Sequence, residues 1–323
     1  MINLSIIIVN WKSAVYLDNC IRTICENTEG LNYEIIVVDN ASYDGSEAVA
    51  NRYGEIVHFV QSNENLGFPR ANNLGYRHSN GKALLFLNPD TEIVGDALVR
   101  MYDLLINLSE AGCLGCRILN SDGTVQTSCI QAFPTITNQF LGAELLMKFT
   151  KRFRLWGMAP LFDLPLGPVE VEAISGACLM IHREVFEKVG TFSEDYFMYV
   201  EDQDLCFKTH QAGFRNYYFG EVSVIHHGGG STKERGGNAF SVVLMRESMR
   251  RFMKKFYGNN YSLGFVMAIQ VAAVLRILIL IVGYPLVFFR MIDQEGFGIS
   301  LRKWWCIFRW SIGMDQATAA GKR

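Results

Sequence analysis

SIIIVNWKSAVYLDNCIRTICENTEGLNYEIIVVDNASYDGS, residues 5–46, decides how the chain begins to fold. Leu4 to Val9 and Glu34 to Val38 are short, largely apolar and β-branched. They are too brief for helices and read as strands buried on both faces. Residues from about 14 to 28 carry a helical pattern between them. A strand, a helix and a strand in this little sequence make a unit whose strands run parallel. Outward from it the pattern repeats: Ile56 to Val60 and Ala83 to Leu87 read as strands, and about 45–53, 70–79 and 95–108 as helices. The alternation predicts an α/β domain, a mostly parallel sheet covered by helices, with ligands beyond the carboxyl ends of the strands.

Those ends are polar and turn-forming: Asn10-Trp11, Asp39-Asn40-Ala41-Ser42, Asn63-Glu64-Asn65-Leu66-Gly67 and Asn88-Pro89-Asp90. Any one of them is explained by capping of the next helix. Four in succession on one edge point to a site. No GxGxxG follows the first strand, which counts against a dinucleotide-binding dehydrogenase. Residues 120–170, with Pro134, Pro160, Pro165 and Pro168 and several aromatics, are irregular; they read either as an acceptor-facing loop region or as a poorly periodic subdomain. Periodicity returns at Ala173 to Ile181, followed by helices near 183–189 and from Asp202 to Ala212, and by strands near 215–219 and 222–225. No internal repeat or low-complexity linker interrupts the chain.

The formal net charge of −2 conceals an asymmetry. Residues 1–240 hold 18 Lys+Arg against 28 Asp+Glu, and residues 241–323 hold 12 against 4. An acidic body without a basic, aromatic-interleaved run is a poor nucleic-acid binder, because that affinity is dominated by phosphate neutralisation, and no nucleic-acid partner is expected. A basic and apolar tail suits an anionic membrane surface. The two regions predict a large domain over 1–240 and a helical, membrane-associating region over 241–323. Eight cysteines lack framework spacing and read as reduced, cytoplasmic thiols. Cys113 and Cys116 form one CxxC with no second pair, which a buried strand explains better than zinc. Met1 to Asn10 has no basic n-region and too short an apolar run for a signal peptide, so the large domain is expected to stay on the side where it was made.

In the tail, Arg246, Arg250 and Lys254 share one helix face, which suits either solvent or lipid headgroups. Leu263 to Phe289 is a 27-residue apolar stretch with 17 Leu, Ile, Val or Phe, interrupted by Gln270 and Arg276. On an insertion scale those residues contribute roughly −5 to −10 kcal/mol against about +3 for a central Arg276, so membrane contact is favoured. Basic residues flank both ends (Lys254, Lys255; Arg290, Arg302, Lys303), which fits a segment lying in the interface, or dipping and returning, better than a simple span. Trp304, Trp305 and Trp310 with Arg309 read as a second interfacial stretch. The competing reading is a helix docked on the larger domain.

The segments SIIIVNWKS, IIVVDNASYDGS, NENLGFPRANNLG, FLNPDTEI, ISGACLMIHREVFEKVGTFSEDYFMYVEDQDLCFK and VIHHGGGST, in that order over residues 3–235, resemble the inverting glycosyltransferases of family 2, and within it the rhamnosyltransferase-like branch. The resemblance implies a GT-A fold, a Rossmann-like mixed sheet flanked by helices. It also implies a single-displacement mechanism and a divalent cation, Mg²⁺ or Mn²⁺, beneath the donor diphosphate. A hard cation with oxygen ligands is what neutralises a leaving diphosphate. Asp90 matches the end of the family's DxD motif, but here the triplet is Asn88-Pro89-Asp90 and one carboxylate is missing; the resemblance offers His226 as the completing ligand, ahead of His227. The glycine run Gly228-Gly229-Gly230-Ser231-Thr232 is a flexible loop able to approach phosphate.

The reaction also needs a base for the acceptor hydroxyl. Glu201-Asp202-Gln203-Asp204 supplies three carboxylates at a helix start, where the macrodipole alone accounts for one or two. By resemblance Asp202 is the base, Glu201 positions acceptor or base, and Asp204 and Gly176 adjoin the acceptor; Gly176 is otherwise a packing glycine. Asp39 resembles the residue that pairs with a pyrimidine edge. Asn10, Asn40, Ser42 and Asp44 would flank base and ribose. Asn65, Gly67 and Arg70 resemble the nucleotide-contacting loop, Arg70 being either a diphosphate contact or a surface helix residue. The implied substrates are dTDP-L-rhamnose and a lipid-linked saccharide of a surface polysaccharide, at the cytoplasmic face of a membrane. The alternatives are transfer of galactofuranose, glucose or N-acetylglucosamine, and a non-catalytic membrane-bound nucleotide-sugar-binding protein.

Overall fold

The computed structural model describes residues 1–141, 167–228, 239–288 and 294–315. The first apolar runs become strands β1 (Leu4–Asn10), β2 (Tyr33–Asp39), β3 (Val57–Gln61) and β4 (Ala83–Leu87). Between and after them lie helices α1 (Ala14–Asn27), α2 (Ser46–Asn51), α3 (Phe68–Arg77) and α4 (Ala97–Asn107). All of β1 and β4 is buried, as their unbroken apolar sequences require when helices cover both faces. The four strands pair in parallel in the order β3-β2-β1-β4, and the register sets Asn10 beside Asp39 and Asp39 beside Gln61. Their polar carboxyl ends therefore share one edge.

The second half departs from the mostly parallel expectation. Strands β5 (Thr91–Ile93), β6 (Ala111–Leu119), β8 (Pro168–Val171), β10 (Cys178–His182) and β11 (Arg215–His226) complete a nine-stranded mixed sheet, β3-β2-β1-β4-β10-β6-β11-β5, with β8 on β11. Strand β10 enters antiparallel between β4 and β6, and β11 is parallel to β6 but antiparallel to β5 and β8. A buried apolar run records that a strand is central, not which way it points, so alternation alone overstated the parallel share. The strands expected at 215–219 and 222–225 are one strand whose register on β6 slips between Phe219 and Ser223, a bulge that the polar interruption marks. Cys113 and Cys116 are buried in β6, Cys116 with its Sγ 3.7 Å from that of Cys178. A two-stranded ribbon, β7 (Ile130–Gln131) with β9 (Ala173–Ile174), and helices α6 (Arg183–Lys188) and α7 (Glu201–Gln211) finish this unit.

This unit consists of residues 1–133, 167–197 and 201–228. A second compact unit takes 134–141, 198–200, 239–288 and 294–315, with helices α5 (Ile136–Leu141), α8 (Ala239–Tyr257), α9 (Asn259–Phe288) and α10 (Gln294–Ser311). Met249, Phe252 and Met253 of α8 are buried. Of the basic stripe on this helix, Arg246 donates to Gln139 and Arg250 pairs with Glu247 at 2.7 Å, so part of that face is turned inward; Lys254 is exposed. Within α9, Asn259–Tyr284 is long and apolar enough to cross a membrane by length and composition. Pro160, Pro165, Arg290 and the segment 229–232 lie outside the described residues.

Candidate active site

The ends of β1, β2 and β3 form a tight polar cluster. The Asp39 carboxylate accepts hydrogen bonds from Asn10 Nδ2 (2.9 Å), Gln61 Nε2 (2.8 Å), the backbone N–H groups of Ser42 and Tyr43 (3.1 Å each) and the Ser42 hydroxyl. Burial pushes its pKa up, but these donors outweigh burial and hold it below the usual aspartate value. With about four lone-pair sites filled, Asp39 braces the 41–45 turn in this conformation, and a pyrimidine reaching it must displace a donor. Asp44, expected near base or ribose, accepts the Ala14 N–H at 3.0 Å and caps α1, while also receiving Asn10 Nδ2. Asn10 is fully buried and its Oδ1 has no hydrogen-bond partner.

The loop after β3 is pinned to this cluster. Asn40 donates to Asn65 Oδ1 (2.9 Å) and accepts the Leu66 N–H (2.8 Å), and Asn65 accepts the Gly67 N–H (3.0 Å). Gly67 has φ 78°, and a Cβ there would lie 2.3 Å from the Phe197 carbonyl oxygen; only glycine fits. Arg70, on the first turn of α3, makes a half-exposed ion pair with Glu194 at 3.6 Å.

Asn88, Asp90 and His226 come together, from the turn after β4 and the end of β11. His226 Nε2 lies 3.2 Å from Asp90 Oδ1 and 3.1 Å from Asn88 Nδ2. Gln126 holds the histidine from both sides: its Nε2 donates to the His226 carbonyl at 2.7 Å and its Oε1 is 3.0 Å from Nδ1. Gln126 Oε1 can only accept, so Nδ1 donates to it and Nε2 is the ring nitrogen turned toward Asp90. Two ligand atoms at that spacing match adjacent positions on an octahedral ion, which at bond lengths of about 2.1 Å are about 3.0 Å apart. The pair therefore fits a divalent cation. Among the described residues no third His, Cys, Asp or Glu joins it. His227 has both ring nitrogens engaged, by Glu92 and by Ser121, at 2.8 Å each.

Asp202 opens α7. Its Oδ2 accepts the Gly176 N–H (3.0 Å) and Gln131 Nε2 (3.2 Å), and its Oδ1 accepts the Gln203 N–H (2.8 Å). Burial raises its pKa above the usual aspartate value, and these donors pull it partly back. One residue beyond Gly176, the Ala177 carbonyl accepts the Asn88 N–H at 3.0 Å. The Asn88-Pro89-Asp90 turn and the Asp202 carboxylate are thus tied to adjacent residues of one loop. A Cβ on Gly176 would stand 3.4 Å from that of Asp202, so the glycine lets the carboxylate sit against the backbone. Glu201 is buried, its Oε2 has no hydrogen-bond partner, and burial followed by the Asp202 charge drives its pKa well above the usual range. Asp204, expected beside the acceptor, is fully buried, accepting from Ser193 and Tyr196 with Lys208 Nζ at 3.5 Å, because its helical position turns it into the core.

Six non-glycine residues among those described have positive φ. Lys12, Ala41 and Tyr43 follow β1 and β2; Tyr199 and Val200, at 71° and 72°, immediately precede Glu201; Thr191 is the sixth. The left-handed region costs roughly 1–2 kcal/mol per residue and is least tolerated by a β-branched one such as Val200. Strain concentrated beside these polar groups is what a functional edge shows. Gln61, Gln126 and Gln131 were not singled out by the sequence reading. Glutamine has no diagnostic spacing, and the contacts Gln126 makes to His226 and Gln131 to Asp202 span 100 and 71 residues.

Comparison with known proteins shows the family and the fold. The Glycosyl transferase family 2 profile matches residues 5–190. A low-salt glycan biosynthesis hexosyltransferase, Agl10 of Haloferax volcanii, is 30% identical over 230 residues, covering 69% of this chain and 66% of the relative. The N-acetylglucosaminyl-diphospho-decaprenol L-rhamnosyltransferase of Mycobacterium tuberculosis is 28% identical over 246 residues, 71% of this chain and 77% of its own. Among solved structures, the mannosyltransferase PcManGT from Pyrobaculum calidifontis, in complex with GDP-Man and Mn²⁺, superposes with a TM-score of 0.60 over 97% of this chain and 86% of that one. At 14% identity this likeness speaks for the shared GT-A fold alone. With the family profile spanning more than half of its length, the chain belongs to glycosyl transferase family 2 and is a glycosyltransferase.

Proposed function

We propose that the chain transfers L-rhamnose, with inversion, from dTDP-L-rhamnose to a saccharide carried on a lipid diphosphate, at the cytoplasmic face of a membrane. The donor and acceptor classes follow the name of the mycobacterial relative, an L-rhamnosyltransferase acting on N-acetylglucosaminyl-diphospho-decaprenol. The observation that carries the mechanism is the loop whose Ala177 carbonyl holds Asn88 and whose Gly176 N–H holds Asp202. It supports a reading in which the Asn88-Pro89-Asp90 turn binds the cation and Asp202 acts as the base.

In this reading Asp90 and His226 would hold a divalent cation, Mg²⁺ or Mn²⁺. When bound, the cation neutralises charge on the departing diphosphate. Asp202 takes the proton of the acceptor hydroxyl as that oxygen bonds to the anomeric carbon, and the diphosphate leaves with the electron pair of the broken bond. Glu201, its pKa raised by burial and by the Asp202 charge, would position the acceptor or the base. Asn10 Oδ1 is the buried acceptor that a nucleoside donor group would satisfy, and Arg70 reaches the diphosphate by leaving a weak surface pair with Glu194.

A panel of nucleotide sugars offered with a lipid-linked acceptor and Mn²⁺ tests the assignment: turnover with dTDP-L-rhamnose well above the others is expected. The name of the haloarchaeal hexosyltransferase supports a second reading, transfer of another hexose, and preference for that donor in the panel establishes it instead.

A further inference from the structure

Helix α9 has two different sides. Phe265, Ile269, Ala272 and Ala273 are buried, whereas Leu263, Met267, Val271, Leu275, Leu278 and Val282 are between 47% and 80% exposed. The exposed set recurs every three or four residues and forms one apolar stripe down the helix. Helix α10 runs antiparallel along the other side. Tyr284 meets Phe297 with ring centroids 5.8 Å apart, the Arg276 guanidinium lies 4.5 Å over the Trp304 ring, and Phe265 meets Trp310 at 6.3 Å. Arg276 also donates to the Phe140 and Leu141 carbonyls at 3.0 and 2.8 Å. The one cation of the apolar run therefore belongs to the packed side, and Arg302 and Lys303 of α10 lie next to its stacking partner Trp304.

This packing decides between the ways in which the helix can meet a bilayer. The 26 residues of Asn259–Tyr284 would extend about 39 Å, enough to cross a hydrocarbon core of about 30 Å. If they crossed, α10 would have to cross with them, since the two helices touch at the levels of residues 284, 276 and 265. Arg302, Lys303 and Arg309 would then enter the hydrocarbon together with Arg276, a concentration of charge that lipid does not accept. Lying in the surface avoids this, because the stripe enters one leaflet while the cations remain at headgroup level. The charge of the region names the kind of surface: residues 241–323 hold 12 Lys+Arg against 4 Asp+Glu, and Lys254, Lys255 and Arg302 are exposed.

We infer that the α9–α10 hairpin is a one-leaflet anchor, lying in the plane of an anionic bilayer surface with the stripe from Leu263 to Val282 in the acyl region, and not a membrane span. The inference rests on the membrane location proposed above and not on the chemistry of transfer. The test uses the full chain with a spin label on an azide-bearing residue incorporated at 263, 271 or 282, bound to phosphatidylcholine vesicles with or without phosphatidylglycerol. Depth is read from collisions with oxygen and with a nickel chelate.

All three labels are expected at one depth within about 5 Å. A crossing helix would separate the outer two by about 28 Å and overturn the inference. Flotation should be about tenfold stronger with phosphatidylglycerol and should weaken with salt; equal flotation on neutral vesicles overturns the choice of partner. The Val271→Glu, Leu278→Glu, Val282→Glu triple variant should lose flotation at an unchanged melting temperature. If it instead floats as before and passes from dimer to monomer, the stripe is a self-association face and the inference fails. Normal flotation and depth in a chain that turns over no nucleotide sugar would sink the proposed reaction and leave the anchor standing.

Discussion

Replacing Gln131 by leucine removes one of the three donors that hold the Asp202 carboxylate, the Nε2 to Oδ2 bond of 3.2 Å, at nearly constant volume. A hydrogen bond to a charged group is worth about 1.5–3 kcal/mol, and about 1.4 kcal/mol corresponds to one pKa unit. The full effect would be about 1–2 units. Asp202 is partly open to solvent, which screens the bond, so about one unit is expected. The sign follows from the donor's preference for the ionised form: without it, a pKa already raised by burial rises further. A base must be deprotonated, so the acid limb of kcat/KM moves about one unit toward higher pH while the plateau above it is kept. The assay is a pH profile of transfer by purified wild-type and Gln131→Leu chains under identical donor, acceptor and Mn²⁺. An unmoved acid limb with a lowered plateau would refute the reasoning and make Gln131 a packing residue.

Asp202→Asn should abolish transfer, at least about a hundredfold, while calorimetry finds nucleotide binding unchanged; an active variant removes Asp202 from the role of base. Gln126→Ala frees the His226 ring and should weaken Mn²⁺ binding about 10–100-fold in a direct titration, and unaltered affinity would show that the clamp does not serve the metal. Glu201→Gln should raise stability at pH 7, because burial raises the Glu201 pKa and its ionisation costs the native state more than the unfolded chain. A raised carboxyl pKa lowers stability as pH rises, so the gain should vanish below about pH 4, and denaturant melts at both pH values test this. Gly67→Ala should destabilise by about 2–4 kcal/mol, since its Cβ would meet the Phe197 carbonyl at a left-handed φ, and an unchanged melt would show that the loop can relax.

The parallel half of the sheet was legible because Leu4 to Val9 and Ala83 to Leu87 have no polar side but that of Ser5, which marks central strands, and because helical stretches alternate with the strands there, which sets them parallel. The candidate site was legible as far as it is charged: Asp90, Asp202 and His226 are residue types whose chemistry is narrow. What supports them was hidden. Gln126 and Gln131 sit in an aperiodic stretch, and their partners are fixed by the arrival of β11 and α7 from elsewhere in the chain. Asp204 illustrates what composition leaves out. It shares the acidic cluster of Glu201 and Asp202, but its place on α7 buries it under Tyr196, and composition does not reveal which carboxylate of a cluster turns inward. In the tail, the apolar run was plain, while the assignment of Arg276 to the packed side required the α10 ring that covers it.

The product tests the central claim most directly. With the full chain, Mn²⁺, dTDP-β-L-rhamnose and a lipid-linked acceptor, the anomeric configuration of the new linkage is read by nuclear magnetic resonance. The proposed reaction is a single displacement, so the linkage should have the configuration opposite to that of the donor. A retained configuration would require a second displacement and contradict the arrangement of Asp90, His226 and Asp202 argued above.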